Sequence, residues 1–213
     1  RFIRILHQLQ WSCPSLHTVL CMDSRDIYEE KETERQELVE AHFWDYVAEK
    51  GIDDISAGGW ISSYTGEPFS RAEMDEYSEN VLKKLSPLLQ KDTRILEIGV
   101  SSGITMYRIA PRVGFYCGTD ISGVIIQENR ERVQREGYNH IMLFCLAAHE
   151  IDRLEEKDFD VVIINSVIQA FPGHNYLRQV LSKCLGLLKP KGHLFIGDVM
   201  NLDLERDLIR EMD

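Results

Sequence analysis

Positive charge is in short supply in this chain. Its 213 residues carry 24 Lys and Arg against 35 Asp and Glu, a formal net charge of −11. Such a surface repels phosphate backbones, which excludes nonspecific binding to nucleic acid. Long apolar runs are also missing, since none approaches the roughly 20 residues that a membrane helix needs. The five cysteines (Cys13, Cys21, Cys117, Cys145 and Cys184) are odd in number and widely scattered, without a C-x-x-C pair. That excludes a disulfide frame or a zinc site and fits reduced thiols in a cytoplasmic protein; no metal-ligand set is expected. Neither an initiating methionine nor a secretory pattern stands at Arg1, so the chain reads as a piece of something longer. Internal repeats and low-complexity tracts are absent too. What remains, 44% hydrophobic and 28% charged, suits one sizeable soluble domain with a smaller appendage.

The most informative stretch is 94–103, RILEIGVSSG. Residues 94–98 form a short apolar run that stops at Gly99, as a buried strand ending in a glycine turn does. Ile104, Met106, Tyr107, Ile109 and Ala110 continue at helical spacing until Pro111. Residues 115–119 read as the next strand, with Asp120 at its end, roughly 20 residues beyond the loop, where a carboxylate can take ribose hydroxyls. A turn without a ligand is the competing reading of the loop. A dinucleotide fold needs G-x-G-x-x-G, but Ser101 and Ile104 occupy the second and third glycine positions. Glu97 is moreover wrong for a pyrophosphate and right for a ligand with an ammonium group. An amino-acid-bearing nucleoside meets both conditions, and S-adenosylmethionine is the obvious one.

Around this unit, strands and helices alternate. Further strands are predicted at 141–146, 159–164 and 193–196, and helices at 124–136 and 176–188, the last ended by Lys189-Pro190-Lys191-Gly192. The alternation predicts a parallel α/β sheet with ligands at the carboxyl ends of the strands. Upstream, residues 1–23 predict a helix and a short strand, and 26–40 a charged helix or linker. A more apolar helix begins at His42 and stops at Gly51. Residues 58–68 combine glycines, hydroxyls, Trp60, Tyr64 and Pro68 without a period. An irregular surface connection is the plain reading, and a cover over a ligand the sharper one. Ser70 and Glu73 then make a capping box that opens a helix through Tyr77, Val81, Leu82 and Leu85.

Glu97-x-Gly99-x-Ser101-x-Gly103 resembles the first motif of the S-adenosylmethionine-dependent methyltransferases of the Rossmann-like class. WISSYTGEP at 60–68, INSVIQAFP at 164–172, LLKP at 187–190 and GDV at 197–199 are similar to one branch, the methyltransferase domains of nonribosomal peptide synthetases and related polyketide synthases. Residues 1–23 faintly resemble adenylate-forming domains, so 1–56 is expected to be an extension or linker from such a neighbour. Residues 57–213 would be the methyltransferase domain, with a lid at 57–90. The resemblance implies an α/β class I fold with a mostly parallel sheet and an N-terminal helical lid. It also implies S-adenosylmethionine as cofactor, with S-adenosylhomocysteine as product, and carrier proteins and neighbouring synthase domains as partners.

By the same resemblance Glu97, Gly99, Ser101 and Gly103 hold the methionine end and Asp120 the ribose. Ile121 belongs to the same cofactor set, Ala148 and His149 lie near the adenine, Tyr64 closes over the cofactor, and Asn165 and Ser166 line the transfer point. Two positions depart from the family: Ala147 replaces an acidic residue, and Ala170 a tyrosine. For the chemistry, His149, His174 and Asp198 are the candidate bases, each with a purely structural role as the alternative. Three candidate bases favour oxygen over nitrogen as the methyl acceptor; carbon methylation, a catalytically degenerate scaffold and a nicotinamide oxidoreductase are the competing readings.

Overall fold

The computed structural model describes residues 40–62, 64–199 and 210. Residues 1–23 and most of the charged segment after them lie outside the described residues.

Five parallel strands form one sheet: β1 (Arg94–Ile98), β2 (Phe115–Asp120), β3 (Ile141–Cys145), β4 (Phe159–Asn165) and β5 (Leu188–Gly197). Their order is β3-β2-β1-β4-β5, so the chain reverses its direction of travel across the sheet between β1 and β4. At such a switch point the loops after neighbouring strands part and leave a crevice. Six α-helices are described: α1 (Ala41–Lys50), α2 (Asp54–Ala57), α3 (Arg71–Leu85), α4 (Ile104–Ile109), α5 (Gly123–Glu136) and α6 (His174–Leu187).

Both faces of the sheet are covered because its central strands are apolar on both sides. Leu96, Ile98, Val162 and Ile164 pack with Leu177, Val180, Leu181 and Cys184 of α6. On the other face Ile95, Val161 and Ile163 pack with Val81, Leu82 and Leu85 of α3, Met106 and Ile109 of α4 and Ile126 of α5. Glu97 shares the side of β1 that carries Ile95, so strand alternation sends a carboxyl group into an otherwise apolar layer.

The caps follow the sequence closely. Ser70 and Glu73 form the expected capping box at α3, and Gly137 ends α5 in the left-handed conformation. β5 differs from expectation. Phe159 pairs with Leu188 and Val161 with His193, so the predicted turn at Lys189-Pro190-Lys191-Gly192 is a bulge inside a longer strand. Lys189 Nζ pins it to Asp160 at 2.8 Å. α6 starts two residues earlier than expected, directly after Gly173, which frees it from Pro172.

α1, expected within an extension, docks on the sheet domain. Asp45 accepts hydrogen bonds from Ser122 Oγ (2.6 Å) and the Val124 amide (3.2 Å), at the start of α5.

Candidate functional site

β1 ends on two buried residues, and the chain then turns through Gly99, Ser101 and Gly103, with φ of 75°, 47° and 82°. A methyl group on Gly99 would lie 2.5 Å from Val167 Cγ2, and one on Gly103 2.5 Å from the Tyr107 ring. Both glycines are therefore fixed by space as well as by φ. Ser101 tolerates the left-handed conformation because three atoms hold it. Its amide donates to Asp120 Oδ2 at 2.8 Å and its carbonyl accepts from Asn129 Nδ2 at 2.8 Å. Its hydroxyl donates to the Gly58 carbonyl at 3.3 Å. The Ser101 side chain thus ties the loop to the segment 58–68.

Carboxylates surround this loop. Glu97 is 3% exposed and accepts the Tyr116 hydroxyl at 2.7 Å. Burial pushes its carboxyl group up to about 8, with Asp120's charge adding to the rise and the Tyr116 bond opposing it. Asp120 accepts the amides of Ser101 and, at 2.9 Å, Ser122. Burial raises its pKa against those bonds, and Asp45 adds to the rise. The charged neighbour acting on each group is another acid, Asp120 on Glu97 and Asp45 on Asp120.

Past β3, the Cys145 thiol reaches the Ile121 carbonyl at 3.6 Å. Ala147 is buried, and its amide donates to Glu150 Oε2 at 3.2 Å. Ala148 opens a short 3₁₀ turn, Ala148–Arg153. His149 Nδ1 shares a hydrogen bond with Tyr176 Oη at 3.0 Å. Its carbonyl takes a hydrogen bond from Lys183, which also pairs with Asp152 at 2.7 Å.

At the ends of β4 and β5, Ser166 and Asp198 both adopt left-handed φ, 59° and 53°. Asn165 Nδ2 donates to Tyr77 Oη, Tyr77 Oη donates to Ser166 Oγ at 3.2 Å, and Ser166 Oγ donates to Asp198. Trp60 packs against Tyr77, ring centroids 4.8 Å apart. Among the described residues, two buried side-chain atoms lack a hydrogen-bond partner: Trp60 Nε1 and Ser102 Oγ. They flank Gly58, where an added methyl group would sit 2.7 Å from each.

Of the residues singled out in the sequence, Glu97, Gly99, Ser101, Gly103 and Asp120 meet around one loop, and Asn165, Ser166 and Asp198 around another. Tyr64 is apart from both: it is 63% exposed on a turn whose base is the Ile61–Pro68 bridge. Trp60 turns inward instead. His174 is the first residue of α6, while His149 is tied to that helix through Tyr176 and Lys183. Tyr77, Asp45, Tyr116 and Asn129 escaped the sequence reading. Tyr77 sat among apolar residues at helical spacing, and the others lie 19 to 79 residues from these partners, with no local signal.

Known proteins resemble this arrangement. Residues 96–194 match the methyltransferase domain family. A probable non-canonical nonribosomal peptide synthetase, CymA, of Salinispora arenicola is 34% identical over 190 residues, covering 89% of this chain and 2% of the synthetase. Chondramide synthase of Chondromyces crocatus is 35% identical over 170 residues, covering 76% of this chain and 4% of the relative. The chain therefore spans a few hundredths of the length of these relatives. Among solved structures, a phosphoethanolamine N-methyltransferase of Haemonchus contortus with S-adenosylhomocysteine bound superposes with a TM-score of 0.63 at 18% identity, over 79% of this chain and 33% of the other. The N-methyltransferase NodS of Bradyrhizobium japonicum, also with S-adenosylhomocysteine, gives 0.58 at 17% identity over 81% and 83%. At that identity the likeness is one of fold.

Proposed function

We propose, for a chain whose residues 96–194 belong to the methyltransferase domain family, that it transfers a methyl group from S-adenosylmethionine to an oxygen or nitrogen of a carrier-tethered intermediate. The observation that carries the cofactor assignment is the acidic character of the crevice. Glu97, Asp120 and Asp45 stand about a left-handed glycine loop, and the charges acting on the first two are negative. A pyrophosphate would be repelled there, whereas a ligand with a sulfonium and an ammonium group would be drawn in. The unpartnered donors Trp60 Nε1 and Ser102 Oγ suit the carboxylate end of the same ligand. The residues present therefore fit it.

On this reading Glu97 takes the ammonium group, and its carboxyl proton leaves as the ligand's charge arrives. Asp120 exchanges its amide partners for, or shares them with, the ribose hydroxyls. Ile121, Ala148 and His149 border the adenine. When bound, S-adenosylmethionine supplies an electrophilic methyl group. The chain's own task is then alignment and the removal of a proton. Asn165 and Ser166 face the acceptor, and the hydrogen bond from Ser166 supports a role there for Asp198. His149 and His174 are the other groups available as bases, and their presence at this edge favours oxygen.

Relatives that are nonribosomal peptide synthetases support a peptidyl-carrier protein and neighbouring synthase domains as partners. Calorimetric titration with S-adenosylhomocysteine tests the cofactor assignment, and Asp120→Ala should weaken binding by about 1–3 kcal/mol. Heat from NADH but none from S-adenosylhomocysteine would refute it. No heat from either ligand would favour a scaffold.

A further inference from the structure

The cluster at the ends of β4 and β5 does more than line a crevice, because its hydrogen bonds all run in one direction. A hydroxyl group has one proton to give and two lone pairs to receive. Tyr77 Oη accepts from Asn165 and gives its proton to Ser166 at 3.2 Å. Ser166 accepts that proton's hydrogen bond and gives its own to Asp198. One lone pair is left on the half-buried Tyr77 Oη, beside the buried Asn165, while Asp198 at the other end is exposed. The row thus begins inside the site and finishes in water.

The backbone is bent to make this row. Ser166 and Asp198 are non-glycine residues with φ of 59° and 53°, a conformation that costs free energy and gathers at functional sites. The Ser166 amide donates to the Gly197 carbonyl at 3.2 Å, which locks the two strand ends together. Burial also holds the Tyr77 phenol well above its usual range, so it stays a neutral hydroxyl that hands protons on and does not store charge.

We propose that Tyr77, Ser166 and Asp198 form the proton exit of the transfer site. The inference rests on the methyl-transfer reading above and adds to it a residue from α3 and a route. When the acceptor heteroatom gains its methyl group it must give up a proton. That N–H or O–H bond breaks as an O–H bond forms on Tyr77. The Tyr77 proton passes to Ser166, and the Ser166 proton to the Asp198 carboxylate. Tyr77 and Ser166 end neutral, as they began, and Asp198 releases the proton to water. Asn165 is a positioning residue: its amide fills the lone pair that would otherwise compete for the acceptor's proton. Tyr77 is the group that touches the acceptor.

Two measurements test this, one of which needs no acceptor. The Tyr77 hydroxyl resonance, identified by its loss in Tyr77→Phe, should exchange with water about tenfold more slowly in Asp198→Asn than in the parent. Unchanged exchange would overturn the route, whatever the activity. Single-turnover methylation is then followed with a panel of aminoacyl N-acetylcysteamine thioesters as probe acceptors, in H₂O and D₂O. Tyr77→Phe, which keeps the ring against Trp60, should slow transfer about 10²-fold and change the solvent isotope effect. Asp198→Asn should slow it less, and both should bind S-adenosylhomocysteine as the parent does. Parent rates in Tyr77→Phe would overturn the catalytic role. If no thioester is methylated, the exchange result decides the route. A parent that fails to bind S-adenosylhomocysteine refutes the cofactor assignment instead, through a separate readout.

Discussion

The two halves of the crevice are built in opposite ways. The half at the ends of β1 and β2 is a backbone structure. Gly99, Ser101 and Gly103 set the course of a loop in which the Ser101 amide and carbonyl are fixed by Asp120 and Asn129. The half at the ends of β4 and β5 is a side-chain structure, in which Tyr77 reaches Asn165 and Ser166 from a helix nearly 90 residues earlier (separations of 88 and 89). Backbone geometry tolerates no change of shape at a glycine, whereas a side-chain cluster can lose one hydroxyl and stay folded. Cofactor recognition and acceptor chemistry should therefore fail differently under mutation.

The largest effect should come from Gly99→Ala. The substitution forces an L-residue to φ 75° with its methyl 2.5 Å from Val167, and Val167 itself follows Ser166. A loss of about 2–4 kcal/mol in urea unfolding is expected, with loss of cofactor binding. A variant of parent stability would mean that the loop is softer than its geometry implies and would break the contrast.

Next in size is Glu97→Gln. The folded-state carboxyl group titrates at about 8, above its ordinary 4.5. The protonated form is therefore the one that the fold prefers, and its stabilising contribution is complete at low pH and lost as pH rises through 8. Glutamine mimics the protonated acid. The variant should match the parent near pH 4 and exceed it by on the order of a few kcal/mol near pH 9. It should also bind S-adenosylhomocysteine more weakly and without the proton release expected of the parent in buffers of different ionisation enthalpy. Equal thermal melts across that range would remove the argument that Glu97 is a strained, ligand-ready acid.

The smallest effect on the fold should come from Tyr64→Ala. With 63% of the side chain exposed, unliganded stability should change by no more than about 0.5 kcal/mol. Cofactor affinity should still fall if residues 60–68 close over the site. Unchanged affinity would leave Trp60, packed on Tyr77, as the aromatic that matters in this segment.

Legibility in the sequence divides along the same line. The β1 loop and Asp120 were readable because their signal is local: an apolar run, glycines at fixed offsets and an acid at the next strand end. Tyr116 was invisible as a partner because its link to Glu97 is a matter of sheet register, one strand across and on the same face. The turn at residues 189–192 was recognised but misjudged, since nothing in the sequence tells that β4 pairs on both sides of it.

The sequence by itself determined the alternation of strands and helices, the glycine loop, the carboxylate at the end of the second strand and the kinship with methyltransferase domains. All of these follow from periodicity and turn chemistry acting over a few residues. Only the tertiary structure decided that Ser101 ties the loop to Gly58, that Glu97 is buried deeply enough to hold its proton near neutral pH, and that Tyr77 meets Ser166 and Asp198 in a single row. Each of these depends on which helix covers which strand end and how deeply water is excluded there. Neither is settled until the whole sheet has packed.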